Sequence, residues 1–176
     1  AFAVAQRANL QQLLFDETTA CGVDVHFGRR CVGASTATRV TLEFESGPAH
    51  GAELVIAADG VNSRVRDSLG FNVRRTVVGE AFLRVVCPIA HPDRQRIGEV
   101  WVGDGRRAGA FPLPGAHTYL FCSVPLGQWR NILERRLPEW VTSWKNLGPP
   151  ISTLIESVDD WHSAVYDELQ DLRVDP

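Results

Sequence analysis

Four small or polar residues after an apolar segment are the chain's best candidates for chemistry. Asp59, Gly60, Ser63 and Arg66 occur with the spacing D-G-x-x-S-x-x-R. A carboxylate at the end of a strand can accept hydrogen bonds from ribose hydroxyls or loop amides, and glycine allows close backbone approach or a positive φ. Ser63 can cap a helix, and Arg66 can offer paired donors to a phosphate or to Asp59. The pattern fits both a capped strand-to-helix turn and a cofactor-binding loop.

A glycine-rich segment later in the chain matches a second pattern. Residues 103–108 read GDGRRA, which formally satisfies the dinucleotide-binding pattern GxGxxG/A. That pattern needs a helix immediately afterwards, whose N-terminal amides contact phosphate, and Pro112 and Pro114 exclude one here. The segment is therefore predicted to be a β-hairpin turn.

Hydrolytic and metal-dependent chemistry has little support. Ser63 does not lie in a GxSxG elbow, and the five histidines are isolated, without HExxH or comparable ligand spacing. No metal site is predicted.

The net charge of the chain restricts the classes of partner that it is expected to bind. A net charge of −3 and a pI near 6.0 give no reason to expect binding to nucleic acid or to an anionic membrane. The arginine pairs are scattered and are predicted to be solvated surface pairs: 29–30, 74–75, 106–107 and 135–136.

The cysteines indicate a reducing compartment. Cys31, Cys87 and Cys122 lie in strand-like runs, and the four cysteines of the chain show no CxxC spacing, which predicts free, buried thiols. The first residues form no signal peptide. We therefore expect a cytoplasmic protein.

The first part of the chain alternates helical and extended patterns. Apolar residues recur at helical spacing from Arg7 to about Cys21. Residues 22–27 and 39–45 alternate between apolar and polar, which predicts strands with one buried face. Residues 52–58 are almost continuously apolar and predict a strand buried on both faces, which would deliver Asp59 to the edge of a sheet.

After Gly70 the pattern predicts a largely antiparallel sheet followed by helices. Helices are expected at 128–145, with a break at Pro138, and at 151–158. Four tryptophans in this region form either an exposed patch or, as we favour, the packing of helices on the sheet. The expected strands are 77–78, 82–86, 99–102, 108–111, 118–124 and 162–166.

The spacing of Asp59, Gly60, Ser63 and Arg66 resembles the DG motif of the FAD-dependent aromatic hydroxylases. These enzymes are group A flavoprotein monooxygenases, with a fold like that of p-hydroxybenzoate hydroxylase. The chain departs from the family's H-R-x-x-L segment at Gln6, where histidine is usual, and keeps Arg7. The further resembling segments, in the family's order, are QRANL at 6–10, GVDV at 22–25, GDGRR at 103–107, FPL at 111–113 and YDEL at 166–169.

This resemblance implies an α/β (α+β) chain of two parts. Residues 1–75 would form the middle portion of an FAD-binding domain containing the DG motif. Residues 76–176 would form a substrate-binding domain, a mostly antiparallel sheet with helices on one face, and begin the return to the FAD domain. The family's N-terminal GxGxxG and C-terminal G-D motifs are missing and the chain contains no methionine, so we expect a central fragment of a longer protein.

The resemblance also implies an activity and its site. NAD(P)H would reduce FAD, and a flavin C4a-hydroperoxide formed with O2 would hydroxylate or epoxidise a small organic, aromatic substrate. Asp59, Gly60, Ser63 and Arg66 would shape the loop near the FAD and NAD(P)H pyrophosphates, and Arg7 would lie near the flavin. No catalytic acid or base is assigned, and a homodimer is compatible with the family. Substrate would contact apolar residues of the second part: Phe82, Phe111, Leu113 and Phe121.

Two other classes of function stay open from the sequence. One is a flavin-dependent reductase or halogenase on the same scaffold. The other is a non-catalytic remnant that binds a small apolar ligand or a partner chain, consistent with the two missing flavin motifs.

The missing motifs lead to a first prediction. We expect this chain by itself to bind FAD weakly or not at all, because the adenosine and ribityl parts of the cofactor would lack their main contacts. Titration of FAD fluorescence with the purified chain measures this affinity, and a dissociation constant in the low micromolar range would contradict the prediction.

Overall fold

The computed structural model describes residues 4–91 and 98–174, and these form two compact units. The large unit comprises the described residues of 4–13 and 77–169, and the small unit comprises 14–76 and 170–174. Both units are discontinuous in sequence, whereas the sequence predicts two continuous domains that divide after residue 75. Within the described residues, no helix is long and apolar enough to cross a membrane.

Most of a five-stranded sheet belongs to the large unit, and only the first residues of β4, 73–76, and the last of β8, 170–174, belong to the small unit. The strand order of the sheet is β5-β6-β7-β4-β8, and the pairs β5/β6, β6/β7 and β4/β7 are antiparallel, which confirms the predicted type of sheet. The segments expected at 77–78 and 82–86 are parts of one long strand. The strands are β4 (Val73–Cys87), β5 (Glu99–Gly103), β6 (Arg106–Leu113), β7 (His117–Val124) and β8 (Val165–Val174).

The segment GDGRRA forms a hairpin turn, as predicted. Gly103 pairs with Arg106 across β5 and β6, so Asp104 and Gly105 are the two loop residues. Both have positive φ, 49° and 73°, as a type I′ turn requires. The segment is thus not a dinucleotide-binding loop.

Helices cover one face of this sheet and form the core with it. Alternate residues of the central strands are buried against the helices, among them Leu83, Leu120 and Cys122. The ring of Trp140 lies 5.1 to 5.9 Å from three other tryptophan rings, which confirms that the tryptophans pack the core. The helical segments are α3 (Trp129–Asn131), a π-helical stretch (Ile132–Arg136), α4 (Leu137–Lys145), α5 (Ile151–Glu156) and a 3-10 turn (Trp161–Ser163).

Proline marks the helix boundaries as predicted, but the end of the chain differs. Pro138 lies in the first turn of α4, where its missing N–H costs nothing. The final strand is not 162–166 but β8, and residues expected to form a polar tail belong to it. Polar residues extend this strand because pairing with β4 satisfies their backbone groups whatever their side chains.

The small unit is built on a three-stranded antiparallel sheet. Its order is β1-β2-β3, and the helix α2 packs against β1, where the backbone N–H of Ala34 donates to Ser68 Oγ at 2.8 Å. The helix predicted from Arg7 is confirmed as α1 (Arg7–Ala20), whose residues 7–13 belong to the large unit and 14–20 to the small unit. The remaining elements are β1 (Cys31–Thr36), β2 (Val40–Phe44), β3 (His50–Ala52) and α2 (Arg64–Ser68).

Two predicted strands of this unit are wrong. Residues 22–27 and 53–58 form no strand, and Leu54 and Ile56 expose 77% and 85% of their surface. An apolar run becomes a buried strand only where a neighbouring strand completes its hydrogen bonds and another layer covers it. The described residues provide neither for 53–58.

The cysteines behave as predicted in part. Cys87 and Cys122 are buried free thiols, whereas Cys31 is half-buried and Cys21 is exposed. Burial raises the pKa of Cys87 to about 11 and also raises the pKa of Cys122. Both thiols stay protonated and unreactive at neutral pH.

The packing of helices on the large sheet gives a stability prediction. Leu154 in α5 is fully buried, so Leu154→Ala should lower the free energy of unfolding by about 2–5 kcal/mol, through lost burial and a residual cavity. Urea unfolding followed by tryptophan fluorescence measures the change. Leu126→Ala, at a residue that is 39% exposed, is the matched control and should cost about 0.5 kcal/mol or less. Equal losses for the two variants would contradict this packing.

Candidate functional site

The loop between Asp59 and α2 is held by two side-chain caps. Asp59 Oδ2 accepts hydrogen bonds from the backbone N–H of Arg64 at 2.8 Å and of Val65 at 3.3 Å. Ser63 is the N-cap residue of α2, and its Oγ accepts from the backbone N–H of Arg66 at 3.1 Å. Together these caps satisfy three of the amides that the first turn of a helix leaves without an intrahelical partner.

Gly60 is required by the backbone of this loop. Its φ is +82°, and its carbonyl accepts from the N–H of Ser63 at 3.1 Å. A Cβ added at Gly60 would have no atom within 4 Å. The constraint is therefore the left-handed conformation and not lack of space.

The side chain of Arg66 is hydrogen-bonded to the backbone of this loop. Its Nη1 donates to the carbonyl of Val61 at 3.0 Å, and its Nε and Nη2 donate to Asp67 Oδ1 at 2.9 and 2.7 Å. The side chain is only 11% exposed. The sequence suggests either Asp59 or a phosphate as the partner of the Arg66 guanidinium. Asp59 instead accepts hydrogen bonds from the amides of Arg64 and Val65. The guanidinium donors that would bind a phosphate are largely bonded to Val61 and Asp67.

The capping hydrogen bonds set the charge of Asp59. The hydrogen bond with the Ser63 hydroxyl is the largest effect holding the pKa of Asp59 below its ordinary value of 3.8; burial opposes it, and the amides of Val65 and Arg64 lower the pKa further. Asp59 is therefore an ionised carboxylate at neutral pH.

The predicted substrate residues share one face of the large sheet. Because side chains alternate along a strand, these residues point away from the helices that cover the other face. Phe121 is central: its ring centroid lies 5.7 Å from Phe82, 6.2 Å from Phe111 and 6.5 Å from Tyr119. We call these four rings the aromatic face.

A groove of about 750 Å³ in the large unit contains two further predicted residues. Arg7 and Leu113 line it together with Arg84, Tyr119 and Asp167. Arg84 and Asp167 form an ion pair. Burial raises the pKa of Tyr119, and the charge and hydrogen bond of Arg84 partly oppose that rise. The groove thus combines apolar walls with a paired cation and a neutral phenol.

The sequence did not single out several of these polar residues. Arg107 forms an ion pair with Glu80, and its guanidinium lies 5.2 Å from the centroid of Phe82. It is not the solvated surface arginine that its pairing with Arg106 suggests. The available signal was alternation, because Arg84 and Arg107 occupy the same side of their strands as Phe82 and Phe111. Within the described ranges, no group of three or more potential ligands could hold a metal ion.

Comparison with known proteins gives consistent matches along the chain. Residues 1–132 match the family model described as FAD binding domain. The FAD-dependent urate hydroxylase of Klebsiella pneumoniae is 31% identical over 163 residues, which cover 87% of this chain and 40% of that protein. The 2-heptyl-3-hydroxy-4(1H)-quinolone synthase of Pseudomonas aeruginosa is 29% identical over 76% of this chain and 35% of its own length. The chain thus spans about two fifths of the length of these curated relatives.

Solved structures agree with these matches. Klebsiella pneumoniae HpxO complexed with FAD and uric acid superimposes with a TM-score of 0.73 at 25% identity, covering 95% of this chain and 43% of that chain. A 2-methyl-3-hydroxypyridine-5-carboxylic acid oxygenase superimposes with a TM-score of 0.76 at 25% identity, covering 96% of this chain and 46% of that chain. The α/β fold class and the resemblance inferred from the DG motif are confirmed.

The capped loop gives a pH prediction. Asp59→Ala should lower the free energy of unfolding at pH 7 by about 1 kcal/mol, because the amides of Arg64 and Val65 lose their acceptor. Since the pKa of Asp59 is lowered in the folded state, its contribution is complete above 3.8 and disappears as the pH falls through the folded value.

Urea unfolding of both proteins between pH 7 and pH 2.5 measures this difference. Asp24→Ala, which removes an exposed carboxylate of the same unit, is the control and should leave stability nearly unchanged. If Asp59→Ala lowers the free energy of unfolding by the same amount at every pH down to 2.5, the ionised carboxylate is not the source of the stabilisation.

Proposed function

This chain belongs to the FAD binding domain family, and on that premise we propose that the whole protein is an FAD-dependent, NAD(P)H-using monooxygenase. It hydroxylates or epoxidises a small aromatic substrate through a flavin C4a-hydroperoxide. The observation that carries the proposal is the aromatic face with its adjoining groove, in a chain whose matched relatives are FAD-dependent hydroxylases.

The described residues fit a bound flavin dinucleotide. The groove is large enough for a flat heterocycle, and its lining offers apolar contacts, a phenol and the guanidinium of Arg7. The loop of Asp59 and Gly60 is held by hydrogen bonds to its carboxylate, and its left-handed glycine leaves the surface open to close approach. We assign Arg7, Asp59 and Gly60 to contacting the cofactor, and Ser63 and Arg66 to holding the loop that presents Asp59 and Gly60.

FAD, when bound, supplies the transfer of electrons from the nicotinamide and the activation of O2. The chain's own residues position the substrate and exclude water. Phe82, Phe111 and Phe121 offer ring contacts to an aromatic substrate, and Leu113 closes the apolar wall of the groove. Tyr119, a neutral phenol whose pKa is raised further by burial, can donate a hydrogen bond to a polar substituent on the ring.

The proposal also includes a substrate class and self-association, both suggested by relatives of this chain. The HpxO structure holds uric acid, and a pyridinecarboxylic acid oxygenase was solved in a tetrameric form. A flat, polar, nitrogen-containing ring is therefore the substrate that we favour, in a self-associating cytoplasmic enzyme. The names of the relatives favour a monooxygenase over a reductase, a halogenase or a non-catalytic binding protein.

The test uses the whole protein that contains this chain, loaded with FAD. Consumption of O2 and NAD(P)H that depends on an aromatic substrate, with one oxygen atom added to the product, is the expected result. NAD(P)H oxidation without oxygen insertion favours the reductase, a strict need for halide favours the halogenase, and inactivity of the loaded protein favours the remnant.

The aromatic face gives a variant prediction. Phe121→Ala should reduce the amount of product formed per NAD(P)H by about tenfold, while NAD(P)H oxidation changes less, because a poorly positioned substrate and admitted water waste the activated oxygen. Phe27→Ala removes the same side chain at a residue that is 77% exposed and is the control. Unchanged coupling in Phe121→Ala would contradict the assigned substrate contact.

A further inference from the structure

An ion pair at the edge of the aromatic face has no task in the proposed function. Arg107 Nη2 donates to Glu80 Oε2, and the guanidinium carbon of Arg107 lies 5.2 Å from the ring centroid of Phe82. The two side chains are 38% and 44% exposed, and both line a cavity of about 430 Å³. A small molecule that contacts the rings can therefore also reach both charges.

Strand register fixes this pair beside the rings. Ser123 of β7 is paired with Phe82 of β4, and its Oγ accepts from the backbone N–H of Arg107 on β6 at 2.9 Å. Arg107, Ser123 and Phe82 therefore form a row across three neighbouring strands. Glu80 precedes Phe82 by two positions on β4, so its side chain lies on the same side of that strand. The sheet itself thus holds the guanidinium between a carboxylate and a ring.

The neighbouring arginine, Arg106, is directed to the other side of the sheet. Its Nη1 donates to the carbonyl of Ser143 at 2.9 Å, and its guanidinium lies 5.1 Å from the ring centroid of Trp144. It also forms a loose pair with Asp104 in the hairpin turn, at 3.7 Å. Arg106 therefore anchors the hairpin to α4, and Arg107 is the arginine of this hairpin that faces the rings.

A second arginine of the aromatic face also has a carboxylate partner. Arg84 is paired with Asp167, as Arg107 is with Glu80. A carboxylate on a substrate ring would approach Glu80 and Asp167 together with the two guanidinium groups, and like charges at short range repel each other. An uncharged ring meets no such repulsion, and guanidinium N–H groups that are not bonded to Glu80 can still donate to it.

The pair of Glu80 with Arg107 contributes little to the stability of the fold. Solvent screens the attraction between side chains that are this exposed, and the buried core lies on the opposite face of the sheet. Removing the carboxylate of Glu80 should therefore change the charge of the aromatic face without unfolding the chain.

We propose that Glu80 determines specificity: by neutralising Arg107, it makes the aromatic face favour uncharged flat rings over rings that carry a carboxylate. The inference rests on the proposed function, because it requires the substrate to contact the aromatic face. The rings contact either kind of ligand equally well, so discrimination comes from repulsion of the charged one. Glu80 acts through the charge of Arg107 and takes part in no catalytic step.

The experiment is calorimetric titration of the whole protein, loaded with FAD, with isonicotinamide and with isonicotinate. These probes share one flat ring and nearly the same shape, but only isonicotinate is charged at neutral pH. We expect the unaltered protein to bind isonicotinamide more tightly. Glu80→Gln should strengthen isonicotinate binding by about tenfold and change isonicotinamide binding by about twofold or less, because the released guanidinium then pairs with the carboxylate of the probe.

Glu139→Gln is the matched control. It removes the same charge from an ion pair with Arg136, on the helix α4, between side chains that are 71% and 63% exposed. The ratio of the two affinities should stay that of the unaltered protein. Combining Glu80→Gln with Arg107→Gln should abolish the gain in isonicotinate binding, because the receiving guanidinium is gone. Urea unfolding checks that each variant is folded.

Four results would overturn the inference. They are tighter binding of isonicotinate by the unaltered protein, an unchanged ratio in Glu80→Gln, a gain that persists without Arg107, and no binding of either probe. Binding is measured without NAD(P)H and does not depend on turnover. Oxygen insertion with an unchanged ratio would contradict only the role of Glu80, whereas the expected ratios without oxygen insertion would contradict only the monooxygenase proposal.

Discussion

The alternation of side chains along the large sheet is the constraint on which the described chemistry depends. Residues 81, 83, 85 and 87 of β4 enter a core filled by helices and tryptophans, so residues 82, 84 and 86 must face the other way. The same division holds along β6 and β7, which are registered against each other. Slipping one strand by a single residue would exchange its core and site residues. The tryptophan packing therefore also determines which side chains form the aromatic face.

The small unit places its functional candidates by hydrogen bonding more than by burial. Asp59 is exposed, yet its carboxylate is oriented by two amides and by Ser63. The same hydrogen bonds keep it ionised and hold the first turn of a helix only five residues long. Structural capping is compatible with the proposed cofactor-binding role, since the capping hydrogen bonds also orient the ionised carboxylate.

The arginines show how tertiary structure divides one residue type among several tasks. Arg66 is nearly buried and supports a loop, whereas Arg107 lies over an aromatic ring with an acidic partner. Arg29 and Arg64 face a cleft without acidic partners. These arginines cannot be told apart from the sequence. The surroundings of each guanidinium in the fold decide whether its charge supports a loop, is paired with a carboxylate or is available to a ligand.

The sequence by itself determined the features that depend on neighbouring residues. Asp104-Gly105 specified a hairpin turn, and Ser63 specified a helix cap. Pro138 marked the place where a helix restarts, and the spacing of residues around Asp59 indicated the family. These signals are local, because turns and caps are decided within a few residues. Tertiary structure alone decided that 53–58 is an exposed segment and that the end of the chain is a strand, because strands need partners distant in sequence. It also decided the convergence of Arg29 with Arg64 and of Arg7 with Leu113, since cavities are formed by residues that the chain order keeps apart.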